Sequence, residues 1–466
     1  MAVARVGTAT APGPPGSATI YHADVDNTLT YMDQGSFLGL RALGRAPIMQ
    51  FTWIYRDGVD IAGLRRFHRN LGHGLLGRRI ECSPLPFGRH RWIAWPGPAD
   101  IAVAAAERPR AEIATWADDR IVVPIDPEHG PAWHLGVLPL SDGGDAVSLV
   151  VSHSVADALG LTLSISEAAE GIRRDLGYPE PGSATRKQVL LRDLRRAIRD
   201  LPEVGRAVLA TARVAREQSD DLAASAKSAA PATRPGALEP VIPPTVTAWV
   251  DLEHWDARVE SLGGTSNSLF AGFAARLGQR LGRVDADGQA MLSYPVSDRT
   301  EGDTRANALN TVTAVVDPAK AVVDLTDIRA ELKRVLTELG TAPDANLAPL
   351  PLTPYVPKVA VRRLERMVLK VGSPIGCSNL GELPEALNRP DGTDADYVSF
   401  RLVEPGITPG VLESLGGLLY LASGRAHGRI FLTVTAWTIG GLNTRTDLAE
   451  VVRGTFADFE LPATFE

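Results

Sequence analysis

At 466 residues, 44% hydrophobic and 22% charged, the chain has the composition of a globular protein long enough for two or three domains, which excludes a disordered chain. Its net charge of -7 arises from mixed signs and argues against a nucleic-acid binder, because phosphate contacts need a basic face. No window approaches the ~18 apolar residues of a membrane span.

Met1 to Thr19 is rich in Ala, Gly, Pro and Thr and lacks the apolar run of a signal peptide, so 1–19 reads as a flexible tail. Tyr21 to Ala46 has a mixed pattern. Pro47 to Tyr55 then reads as a strand and Ile61 to Leu71 as a helix with Leu64 and Phe67 inward. Gly77 to Ser83 and His90 to Trp95 read as a hairpin across a Pro/Phe/Gly turn. Asp100 to Asp118 is helical in pattern, opening after Pro96 and Pro98, with Pro109 expected to kink or split it. Trp133 to Leu140 and Ala146 to Ser152 are strands joined by the hairpin-type connection Ser141 to Asp145.

The second of these strands delivers the histidine around which the chain is organised. The run Val147 to Val151 reads as a buried strand, and from Ser154 the positions Leu159, Leu163 and Ile165 fit one face of a helix running to about Asp175. His153 therefore sits on a strand-to-helix turn, where a rigid scaffold can present an imidazole at a sheet edge. An imidazole with its ordinary pKa of ~6.5 can take a proton from a hydroxyl or an amine, which makes His153 a candidate general base. A hydrogen-bonded packing role is the alternative. Asp157 stands three residues after Ser154, as in a helix capping box, so it is a candidate cap as well as a candidate support for the histidine loop.

Arg186 to Arg216 is helical in pattern and carries nine Lys or Arg against three acids. Leu190, Leu191, Leu194, Ile198 and Leu201 line one side. A connector packed on the protein is the favoured reading, and a helix lying on anionic lipid is the other. Gln218 to Pro244 shifts to Ala, Ser and Pro and reads as a linker.

The second half repeats the style of the first. Val246 to Leu252 is a strand, and Thr265 begins a helix through Leu281 that buries Leu269, Phe270, Phe273 and Leu277. Met291 to Arg299 is a strand running into a turn, Asn307 to Val316 another strand, and Asp324 to Leu339 a helix. Val359 to Val371 is helical in pattern, and Ile375 to Gly381 is a strand ending in a glycine turn. Leu418 to Gly424 pairs with Arg429 to Trp437, and a last helix lies near Asp447 to Phe459. Cys82 and Cys377 match no metal or redox spacing and read as reduced core residues of a cytoplasmic protein. The remaining histidines show no paired spacing, so no metal site is expected.

His153-Ser-Val-Ala-Asp157 resembles the His-His-x-x-x-Asp-Gly motif of the CoA-dependent acyltransferase superfamily, which includes condensation domains and wax ester synthase/diacylglycerol acyltransferases. The first His of that motif is Ser152 here, and the final Gly is Ala158. Upstream, Pro124-Ile-Asp126, Gly130-Pro131 and Trp133 match a stretch of the family. Downstream, Asn267, Pro295-Val-Ser-Asp-Arg299 and Ser378-Asn-Leu-Gly381 fall in matching order, so the resemblance covers about residues 20 to 460.

The resemblance implies an α+β fold of two pseudo-symmetric chloramphenicol-acetyltransferase-like lobes, each a mixed sheet packed with helices, with a tunnel between them and His153 at its centre. The lobes would be 20–183 and 245–466, joined by a connector over 184–244. His153 would deprotonate the acceptor, Asp157 would pair with Arg299, and Asn267, Ser378, Asn379 or Ser152 would contact the oxyanion or substrate; for Asn267 a plain helix cap is the alternative. The implied function is acyl transfer from acyl-CoA to a hydroxyl, with no permanently bound cofactor. A condensation enzyme fed by acyl-phosphopantetheine on a carrier protein is a second reading, with an amine or alcohol acceptor. A catalytically silent scaffold is a third.

Overall fold

Ile48–Tyr55 is an aliphatic and aromatic run in which all eight residues are buried, the pattern of a strand inside a sheet covered on both faces. The protein is described by a computed structural model over residues 26–217, 239–341, 348–361 and 374–465. The expected N-terminal tail, most of the linker and most of the Val359 to Val371 helix lie outside the described residues.

Two mixed sheets form the frame. The first has the order Tyr397–Val403, Ile48–Tyr55, Asp145–Ser152, Trp133–Pro139 and Ala102–Val103. Its pairs are antiparallel except the last. The second sheet has seven strands, and Ile375–Glu382 lies parallel between Leu418–Ala426 and Ala290–Ser297. The hairpin Arg78–Glu81 with Arg91–Ala94 stands apart as a two-stranded ribbon. Each sheet has its own hydrophobic core. The cores touch, because Trp249 and Phe431 of the second sheet pack into the first and the Trp249 indole donates to the Val398 carbonyl at 2.8 Å.

Most expected elements appear near their expected bounds; the helices Leu252–Ser261 and Pro409–Ser414 were missed in the sequence, and other differences bear on the site. Asp100 to Asp118 is not one helix. The proline-flanked stretch before Pro109 instead adds the short strand Ala102–Val103, and the helix is confined to Ile113–Ile121, since prolines deny that stretch the N–H groups a helix needs. The mixed region near the start holds the helix Tyr31–Leu43, whose Thr30 side chain accepts from the Asp33 N–H. The helix after His153 is Ala158–Ala169 and buries Leu161 and Ile165, while Leu159 and Leu163 face outward. Tyr397–Val403, a strand missed in the sequence, crosses from the second half to pair with Ile48–Tyr55.

Cys377 is buried as expected, whereas Cys82 is only partly so; both are free thiols. The helix Arg186–Glu217 forms as expected. Its expected apolar face, however, does not pack on the protein: Leu190, Leu191, Leu194, Ile198 and Leu201 are all exposed. No helix among the described residues is long and apolar enough to cross a membrane.

Candidate active site

The strand Asp145–Ser152 is pinned on both sides, by Ile48–Tyr55 and by Trp133–Pro139. Its register therefore fixes where the chain leaves the sheet. His153 is the first residue beyond the strand, and its N–H donates to the Pro47 carbonyl at 3.2 Å. The ring is half-buried. Its Nδ1 lies 2.9 Å from Asn307 Oδ1.

The orientation of that amide sets the tautomer. Asn307 Nδ2 donates to Asp33 Oδ1 and to the His153 carbonyl, both at 3.3 Å. A carbonyl can only accept, so the nitrogen of the amide must face that side and the oxygen must face the ring. His153 Nδ1 then carries the hydrogen, and Nε2 keeps its lone pair. Asp33 is fully buried and also accepts the backbone N–H groups of Ala306 at 3.2 Å and Asn307 at 2.8 Å. A carboxylate on the Tyr31–Leu43 helix thereby holds the segment that holds the histidine.

Asp157 and Arg299 meet across the two halves at 2.9 Å, with only 3% and 4% of their side chains exposed. Asp157 is the cap of the helix Ala158–Ala169 and accepts the Gly160 N–H at 2.7 Å. The cap is Asp157 itself rather than a Ser154 box. It also accepts the Ala308 N–H at 2.8 Å. Arg299 Nη1 donates to the carbonyls of Asp303 and Arg305 and Nη2 to that of Ala306, while Nε is buried without a partner among the described residues. This arginine therefore stitches 303–306 to the loop that follows His153. Ala158 needs no positive φ, because it is the first residue of the helix.

Asp157, Ser378 and Asn379 line one cleft of about 160 Å³ together with Leu159, Thr162, Pro295 and Ser297. Asn267 reaches the same group, accepting from Asn379 Nδ2 at 3.2 Å. It is not the helix cap: Thr265 closes a capping box with Ser268, and Asn267 lies one residue inside the helix Ser266–Arg280. Tyr420 donates to Ser378 Oγ at 2.5 Å. Burial pushes the Tyr420 phenol up to about 12, so it remains a donor at neutral pH. Ser152 is buried, and its Oγ accepts from the Ser154 N–H at 3.3 Å.

The upstream motif is structural support. Asp126 pairs with Arg41 at 2.6 Å and accepts the Glu128 and His129 N–H groups. Trp133 is buried and donates to the Leu76 carbonyl at 3.0 Å.

Three residues of the site escaped the sequence reading. Asp33 and Asn307 lie 274 positions apart, and neither belongs to a motif. Arg78, fully buried, donates to Val155 O at 2.9 Å and Thr304 O at 2.5 Å while its guanidinium lies over Trp92. The two basic residues Arg78 and Arg79 stand adjacent on an alternating strand, and only Arg78 is fully buried, so alternation alone would have marked one of them as inward.

No family model and no curated protein matches the chain. Among solved structures it is similar to the first condensation domain of the CDA synthetase, with a TM-score of 0.56 at 14% identity over 95% of this chain and 99% of that one. It is similar to the first condensation domain of the calcium-dependent antibiotic synthetase in complex with a substrate analogue, with a TM-score of 0.54 at 18% identity over 94% and 97% of the two chains. It is also similar to the wax ester synthase/diacylglycerol acyltransferase from Marinobacter aquaeolei VT8, with a TM-score of 0.54 at 15% identity over 93% and 98%. Likeness at such identities speaks for architecture, and on that ground this chain has the fold of the condensation domains and of the wax ester synthase.

Proposed function

We propose that the protein is an acyltransferase that moves an acyl group from a thioester donor, acyl-CoA in the favoured reading, to a hydroxyl acceptor, with His153 as general base. The observation that supports it is the half-buried imidazole whose Nδ1–H is committed to Asn307 Oδ1. That commitment leaves Nε2 as the basic atom without any further proton movement.

His153 Nε2 takes the acceptor's O–H proton as its oxygen bonds to the thioester carbonyl carbon. The tetrahedral intermediate collapses, the C–S bond breaks, and the leaving thiolate takes the proton back from Nε2. Base catalysis of this kind contributes ~10²–10⁴ in rate. The rest would come from aligning donor and acceptor at one centre. Asn267, Ser378, Asn379 and nearby backbone N–H groups are the candidates to stabilise charge on the carbonyl oxygen. Asp157 and Arg299 act as positioning residues, since each is bonded to the other and to backbone groups. Likeness to condensation domains supports a second reading, in which the donor is an acyl-phosphopantetheine on a carrier protein and the product an amide or ester.

The test is release of free thiol from acyl-CoA in the presence of long-chain alcohols, diacylglycerol or amines, comparing wild type with His153→Ala. Acceptor-dependent release that the substitution abolishes supports the proposal. Turnover only with a loaded carrier protein moves it to the second reading. Equal background from both proteins with both donors refutes acyl transfer at His153.

A further inference from the structure

The helix Arg186–Glu217 is amphipathic in the reverse sense. It faces the rest of the protein with polar side chains: Asp193 pairs with Arg91 at 3.0 Å, Arg196 with Asp26 at 2.8 Å and Asp200 with Arg89 at 3.6 Å, and Glu203 accepts from the Tyr31 hydroxyl. Val189 and Ala207 are the small apolar residues on that side. The large apolar residues point the other way. Leu190, Leu194, Ile198, Leu201, Val208 and Leu209 are between 43% and 63% exposed.

At 3.6 residues per turn these six positions fall within roughly 100° of arc and span about 29 Å of helix axis. They form one stripe, which runs past Pro202 in the middle of the helix. Arg195, Arg199 and Arg206 follow along one edge of it, and Arg186 and Lys187 lie at its start; all five are exposed. None has an ion-pair partner among the described residues. A chain of net charge -7 has thus gathered cations around an exposed aliphatic stripe.

We infer that this face is a membrane-docking surface, and that its occupant is an anionic lipid bilayer. Charge complementarity selects the sign, since arginines beside the stripe can extend their stems along it and set their heads among anionic headgroups. The form of the surface selects lipid over protein. The stripe holds only aliphatic side chains, without the aromatic anchor and matching pocket that concentrate binding energy in a protein interface. The ion pairs on the opposite face fix the helix to the first sheet's half, so docking would orient the whole molecule on the bilayer. This inference does not depend on the acyltransferase reading.

The experiment is flotation of the full chain with vesicles of phosphatidylcholine alone and of phosphatidylcholine with a third phosphatidylglycerol. Wild type is expected to float with the anionic vesicles only, and to lose this as salt rises to about 0.5 M. Ile198→Ser/Leu201→Ser, which removes two exposed side chains, and Arg195→Glu/Arg199→Glu are each expected to bind at least about tenfold more weakly with unchanged circular dichroism. Wild type that stays unbound, or variants that float as well as wild type, overturn the inference. A dimer that the serine variant converts to monomer, without flotation of either, overturns it in favour of a second copy of the chain as occupant.

Discussion

Breaking the Asp157–Arg299 pair tests how the two halves hold the histidine loop. In Arg299→Ala, Asp157 keeps the Gly160 and Ala308 N–H groups but loses its counter-charge at a position 3% exposed. Removing one partner of a buried pair costs ~3–5 kcal/mol. The upper part of that range is expected, because the carbonyls of Asp303, Arg305 and Ala306 lose a donor as well. Against a typical total of ~5–15 kcal/mol, the variant should remain folded with a much lower urea midpoint. Asp157→Asn strands the guanidinium instead and turns an amide donor toward groups that donate. The double variant buries no lone charge, so its loss should fall short of the sum of the singles by ~1–3 kcal/mol. Unfolding followed by tryptophan fluorescence gives all three midpoints. Additivity within ~0.5 kcal/mol would refute the pairing argument, as would a single-variant loss below ~1 kcal/mol.

Asn307→Leu should lower turnover within the ~10²–10⁴ span of base catalysis, whereas Asn307→Asp, which puts a carboxylate on Nδ1–H, should move the acidic limb of the pH profile upward; a limb that stays in place contradicts the tautomer assignment. Stability should fall as pH drops below about 6.5, the ordinary imidazole value. Burial holds His90 at about 4, and burial with the Arg120 guanidinium beside it holds His134 at about 3. The folded state therefore resists protons that the unfolded chain accepts. The contribution is complete above pH 6.5 and is lost at up to ~1.4 kcal/mol per pH unit for each ring as pH falls toward those values. Urea midpoints between about pH 7 and pH 4.5 measure this, and His134→Gln should flatten the slope. Gly63→Ala should destabilise by ~1–3 kcal/mol or more, since its Cβ would lie 1.9 Å from the Asp391 carbonyl oxygen. Gly39→Ala, with open space around its Cβ, should stabilise by up to ~1 kcal/mol; equal midpoints for the two would undo the packing reasoning.

The elements that were legible are those whose pattern is local. Val147 to Val151 announces itself by its valines and leucine in a short run, and the Asp157–Arg299 contact was recoverable because both positions belong to motifs. Asp33 and Asn307 carry no such mark. Their meaning comes from being brought together over 274 positions, and a buried aspartate on a helix looks in sequence like a first-turn acid. The stripe from Leu190 to Leu209 shows the opposite failure. Periodicity identified an apolar face correctly, but it cannot say whether that face turns toward the protein or away from it. Here Asp193, Arg196 and Asp200 of the other face were taken up by Arg91, Asp26 and Arg89.

The strand Tyr397–Val403 bears on how the molecule could be divided. Residues 26–217 synthesised alone would present Ile48–Tyr55 with one side unpaired, an eight-residue and largely apolar edge open to any other chain. The first half should accordingly aggregate by itself and be rescued when 239–465 is supplied as a separate polypeptide, because the missing strand arrives with it. A reporter split in two at the connector would then assemble without a covalent joint, and its two fragments would be obligate companions from the moment of folding.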